Sequence, residues 1–150
     1  MVQEKKKFIY KVDLKWAEAR KGVVTSGGKP EIEVATPPEF KGHPGFWTPE
    51  DLFVAAVNAC FMSTFLYYAE KRQLIFSAFN ASAEGILEDV DGEFIISTVN
   101  ITAYVKIGVA GEIEKAKTIM EAAKQNCLVS NSIKSKVNLD SKIEVVNKGE

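Results

Sequence analysis

Between Phe8 and Trp16 the even positions Phe8, Tyr10, Val12, Leu14 and Trp16 are large and apolar, while Lys7, Lys11, Asp13 and Lys15 are charged. A period of two predicts a half-buried strand, with Ile9 alone out of step. Gly27-Gly28 separates Val23 to Thr25 from a second alternating run, in which Ile32, Val34 and Thr36 are interleaved with Glu31 and Glu33, and the pair reads as a hairpin. Next comes ATPPEFKGHPGFW. Its Pro and Gly end both helices and strand interiors, so an ordered loop or crossover is expected.

Thr48-Pro49-Glu50-Asp51 is a helix start: Thr48 can cap, Pro49 suits the first helical position, and two carboxylates meet the positive end of the dipole. The helix should run from Pro49 to about Arg72. From Leu52 to Tyr68 it is apolar on nearly every face, interrupted by Asn58, Ser63 and Thr64, and that stretch falls short of the roughly 20 residues that span a bilayer. A buried central helix is predicted, and one apolar all round needs a wrapping sheet, a second subunit or both to cover it. Phe76 to Leu87 and Phe94 to Ile107 are two strand-like runs joined through Val90-Asp91-Gly92-Glu93, a strong hairpin signal. In Gly111 to Gln125, Ile113, Ala116, Ile119, Met120 and Ala123 recur at helical spacing on one face. Leu128 to Lys134 predicts a short further helix, and Val137 to Val146 a last strand followed by a polar tail.

Composition narrows the field. The 150 residues, 46% hydrophobic and 26% charged, suit one globular domain, 1–150. A net charge of -1 provides no electrostatic footprint for nucleic acid or an anionic membrane surface, so neither partner is expected. The basic N-terminal run Lys5 to Lys7 is followed by charged Lys11, Asp13 and Lys15 rather than an apolar core, which argues against a secretory signal and for the cytoplasm. Two cysteines and one histidine are too few for a disulfide scaffold or an ordinary zinc site, so no metal and no cofactor is expected.

Chemistry, if present, therefore runs through Cys60, in the most apolar segment, and Cys127, just past the amphipathic helix. A buried free cysteine can simply pack as a small hydrophobe. Alternatively, one thiolate attacks an electrophile and the other resolves the product as a disulfide, which requires an activated thiol near a positive charge. Spacing alone leaves both readings open. Arg20 follows the first strand and can act as an activator or as a solvated charge; Glu50 is accounted for by the helix N-terminus even without a role in a site.

Taken together, TPEDLFVAAVNACF and NCLVSNSIK resemble the two signature regions of the OsmC/Ohr family of organic hydroperoxide reductases. The first is similar to that family's Asn-Pro-Glu helix start with its reactive Cys downstream, the second to its Cys-Pro-x-Ser segment with the resolving Cys. Upstream, ARKGVVTSGGKPEIEVATPPEFKG resembles the Ohr branch's Gly-Arg-x-Gly turn, hairpin and Thr-Pro-x-Glu-Leu-Gly-Gly loop, and places Arg20 on the activating arginine and Glu50 on its partner glutamate. Three positions depart from the pattern: Thr48 replaces the Asn, Leu128 the Pro, and Ala19 the Gly before the arginine.

The resemblance implies an α+β fold in which antiparallel sheets wrap two long central helices in an intertwined homodimer. It also implies a thiol-dependent peroxidase: Arg20 stabilises the Cys60 thiolate, Glu50 orients the guanidinium, Cys60 reduces an organic hydroperoxide, and Cys127 resolves the sulfenic acid. A dithiol, in the family typically lipoyl-bearing, would then reduce the disulfide. Phe61, Phe65, Phe46 and Trp47 are expected to wall the Cys60 pocket. Along one helix Glu50 and Cys60 stand roughly 15 Å apart at about 1.5 Å per residue, so Arg20 and Glu50 are expected to serve the Cys60 of the partner chain. The alternative is an OsmC-like dimer that senses oxidation or binds an apolar ligand with little peroxidase activity.

Overall fold

The computed structural model describes residues 5–146; residues 1–4 and the end of the polar tail, 147–150, lie outside the described residues. The chain divides after Asp51 into two compact units.

In the first unit, β1 (Asp13–Glu18), β2 (Lys21–Thr25) and β3 (Ile32–Ala35) form an antiparallel sheet in chain order. Alternation in the expected hairpin sets the β2–β3 register, with Lys21 opposite Ala35 and Val24 opposite Ile32. The Pro/Gly segment that follows forms a single 3-10 turn, Pro38–Phe40, and returns alongside β3, where the Ala35 amide donates to the Trp47 carbonyl at 2.9 Å. Gly42 cannot be replaced here, since a Cβ on it would lie 1.5 Å from the Thr36 carbonyl oxygen. The first predicted strand is shorter and wetter than its pattern suggests. Only residues 13–18 pair, and Phe8, Tyr10, Val12, Leu14 and Trp16 are all exposed, because β1 is an edge strand and, among the described residues of its own unit, no helix is laid over it.

Helix α1 (Pro49–Lys71) opens as the capping residues foretell. The Asp51 amide donates to the Thr48 hydroxyl at 3.0 Å, and the Thr48 amide donates back to the Asp51 carboxylate at 3.0 Å, a reciprocal capping box. At 23 residues the helix is long and apolar enough to cross a membrane by length and composition, unlike the shorter apolar stretch inside it. Its seating is that of a core helix on one side only. Val57, Phe61, Phe65 and Ala69, spaced by four, are buried, while Ala56, Ala59, Met62, Leu66 and Tyr67 are exposed. The expected burial on all faces is therefore not supplied by the described residues of the second unit.

The rest of the second unit is a three-stranded sheet, β4 (Phe76–Val90), β5 (Glu93–Ile107) and β6 (Lys136–Val145), with α2 (Ile113–Gln125) between the last two. The β4–β5 hairpin turns through Asp91 and Gly92 at φ 53° and 88°, the left-handed pair that an Asp-Gly turn provides. Against the expectation of antiparallel sheets, β6 runs parallel to β5, Thr98 opposite Lys136 through Ile107 opposite Val145, so this sheet is mixed. The crossover through α2 makes the parallel return possible. Alternate residues of β5 (Val99, Ile101, Ala103, Val105, Ile107) meet Phe61 and Phe65 of α1 and Ile119 and Met120 of α2 in one core. Phe65 stacks on Phe79 with ring centroids 4.4 Å apart. The helix approaches β4 so closely at Gly85 that a Cβ there would sit 2.4 Å from Val54 Cγ2. The architecture is α+β, two sheets and two helices.

Candidate active site

Cys60 lies at the middle of α1, half-buried, and Cys127 is fully buried just after α2; both are free thiols. The fold of the second unit brings them near enough for each thiol to bear on the other's ionisation. After α2 the chain makes one tight turn: the Asn131 amide donates to the Cys127 carbonyl at 3.0 Å, and the Ser132 amide to the Val129 carbonyl at 3.0 Å. The next three residues, Ser130–Ser132, are a 3-10 turn, the short helix expected between Leu128 and Lys134.

The two thiols differ in acidity. Partial burial pushes the Cys60 thiol up, but donors to the sulfur outweigh it: the Val129 amide, the Cys127 thiol, the Thr64 hydroxyl and the Leu128 amide together hold its pKa below the ordinary thiol value. The Thr64 hydroxyl donates to the Cys60 carbonyl at 2.8 Å, which occupies its one proton. Burial pushes the Cys127 thiol up, the Ser130 hydroxyl and amide pull against it, and the neighbouring Cys60 adds to the rise.

Arg20 and Glu50 belong to the first unit. Arg20 sits in the exposed two-residue turn between β1 and β2, its Nη1 donating to the Phe40 carbonyl at a long 3.4 Å. Oε2 of Glu50 is buried with no hydrogen-bond partner among the described residues. The bidentate pair expected of these two residues is therefore not formed in this structure. Phe61 and Phe65, expected to wall a substrate pocket, are instead wholly buried in the core against Phe79. Phe46 and Trp47 line an open cleft of about 420 Å³ with Glu31, Ile32, Glu33 and Gly45, and Lys21 holds its ammonium 5.1 Å from the centre of the Phe46 ring. Among the described residues no cluster of metal-ligating side chains occurs.

A family model described as OsmC, OsmC-like protein, matches residues 42–142, a span that contains α1, both cysteines and most of the second sheet. The chain belongs to the OsmC-like family. An uncharacterized protein of Acinetobacter baylyi is 26% identical over 138 residues, covering 90% of this chain and 93% of its own. Among solved structures, an OsmC-like protein of unknown function from Vibrio cholerae superposes with a TM-score of 0.82 at 20% identity, covering 90% of this chain and 99% of that one. An organic hydroperoxide resistance protein from Elizabethkingia anophelis, solved with thiocyanate bound, superposes with a TM-score of 0.74 at 25% identity, covering 95% of this chain and 100% of that one.

In this OsmC-like chain the site also includes groups that the sequence does not advertise. Thr64, four residues after Cys60 on α1, could have been found from helical spacing. The backbone of Leu128 and Val129, which lowers the Cys60 pKa, could not, since every non-proline residue carries an amide and nothing in the sequence singles these two out.

Proposed function

We propose that the protein is a thiol peroxidase that reduces organic hydroperoxides through Cys60 and Cys127. The observation that carries the reading is the pair itself, two free thiols brought together by the second unit, with the Cys60 pKa lowered and the Cys127 pKa raised by burial. Names of related structures as organic hydroperoxide resistance proteins support the substrate class.

The Cys60 thiolate attacks the terminal oxygen of the hydroperoxide, an S–O bond forms, the O–O bond breaks, and the departing alkoxide takes up a proton to leave as an alcohol. Cys60 is then a sulfenic acid, and its negative charge no longer opposes ionisation of Cys127. The Cys127 sulfur releases its proton and attacks the Cys60 sulfur; an S–S bond forms and hydroxide leaves with that proton as water. An external dithiol, lipoyl-bearing by analogy with the family, returns two electrons by thiol–disulfide exchange. Arg20 and Glu50 act in this reading from a partner subunit of a cytoplasmic homodimer, Arg20 toward the thiolate and Glu50 through its unpaired buried oxygen toward the guanidinium.

Stopped-flow oxidation of the reduced protein by an organic hydroperoxide and by hydrogen peroxide tests the proposal. Fast organic-peroxide oxidation, lost in Cys60→Ser and slowed in Arg20→Ala, is expected. Native protein reacting no faster than free cysteine would leave a redox sensor or apolar-ligand binder as the better reading.

A further inference from the structure

In the first unit the segment that returns alongside β3 is tied to it at one end only. Val34 and Trp47 form an isolated parallel bridge, and the Ala35 amide donates to the Trp47 carbonyl at 2.9 Å. Toward Glu31 on one chain and Gly45 on the other, no further bridge joins the two among the described residues, so they form a fork closed at Trp47. Gly45 takes its bend at φ 85°, where a Cβ would meet nothing, so the glycine serves its left-handed conformation rather than close packing. The cleft of about 420 Å³ lies in this fork. Its lining combines carboxylates with rings. Glu31 and Glu33 are exposed, and neither is in an ion pair among the described residues. Trp47 is 53% exposed although its backbone is pinned to β3. Lys21 does not fill the cleft: its ammonium stands over Phe46 and pairs with Glu18 at 3.8 Å, and it is not among the lining residues.

We propose that this fork binds a small alkylammonium ion, its methyl or methylene groups against the Trp47 ring and its charge toward the carboxylates of Glu31 and Glu33. An indole held open to solvent on a fixed backbone attracts a cation through the negative face of its ring, and two uncompensated carboxylates beside it add attraction of the same sign. The volume is that of a small-molecule site. A bare metal ion is a worse match, because two carboxylates supply too few hard oxygen ligands and the aromatic rings supply none. Neither thiol belongs to this site, and its occupancy does not depend on the peroxidase reading.

Choline is the probe, dimethylbutanol, which has carbon in place of the nitrogen, is its uncharged analogue, and sodium chloride controls for ionic strength. In heteronuclear NMR of the full chain the Trp47 indole N–H should shift saturably with choline, half-complete on the order of 1 mM, and at least about fivefold less with the alcohol at the same concentration. The Trp16 indole N–H, which donates to the Ala19 carbonyl at 2.9 Å, should stay still and serves as the internal reference. Glu31→Gln and Glu33→Gln keep side-chain size at exposed positions; each should weaken choline about threefold and the two together about tenfold. Trp47→Leu should weaken it about tenfold, read by saturation transfer from the protein to the choline methyl protons. If Trp47→Leu does not fold, the glutamine variants still decide. Equal shifts from choline, the alcohol and salt, no saturation by about 20 mM choline, or undiminished choline binding with both glutamates replaced would each overturn the proposal.

Discussion

Ala19 holds a φ of 48° in the two-residue turn between β1 and β2, a left-handed conformation that costs an L-residue with a Cβ about 1 kcal/mol. The family pattern has glycine there. Ala19→Gly should raise stability by about 1 kcal/mol, read as a higher urea midpoint at unchanged slope. At Cys60 the sign of the pH effect follows from its lowered pKa: more of the thiol is ionised at any given pH, so peroxide oxidation should rise with pH and level off at a lower pH than for free cysteine. A rate still climbing alongside free cysteine would contradict that. Both cysteines were legible from their segments because the thiol is a rare side chain with its own chemistry. Their environment was less so. Phe61 is next to Cys60 in sequence but points about 100° away around the helix, into the core, and adjacency along a chain does not say which side chain lines a site.

Helices and hairpins are where local chemistry and final structure agree most closely. Thr48 and Asp51 cap α1 as their types suggest, and Thr48→Ala should cost about 1 kcal/mol by leaving helix N–H groups unsatisfied, measurable by thermal or urea unfolding. Gly85 in β4 exists to let α1 pass. Gly85→Ala should destabilise by about 1–3 kcal/mol through the clash with Val54, and Val54→Ala in the same chain should recover part of it, a coupling that a double-mutant cycle measures. The direction of β6 was not legible, since alternation of Val137, Leu139, Ile143 and Val145 is the same in either direction; α2 and the register with β5 decide it. The pairing limits of β1 were hidden for a similar reason: an alternating run states which residues share a face, not whether anything covers that face.

At the scale of the molecule, the uncovered surface is too large and too apolar to be incidental. Phe8, Ile9, Tyr10, Val12, Leu14 and Trp16 are each more than 60% exposed, and α1 leaves Met62, Leu66 and Tyr67 open. The proposed homodimer covers such faces, and sedimentation should find a dimer at micromolar concentration. Leu14→Lys with Trp16→Glu should give monomers whose Cys60 reacts at least tenfold more slowly with hydroperoxide; monomers of full activity would exclude a site completed by the partner. The parallel return of β6 has a consequence during synthesis. Strand β5, with the richest apolar face in the chain, leaves the ribosome well before β6, so its far edge stays open for the whole time that α2 and the Cys127 turn are being made. A nascent chain stalled or cut before Lys136 would present that edge to other chains as a template for pairing, so incomplete copies are expected to aggregate rather than accumulate as soluble fragments.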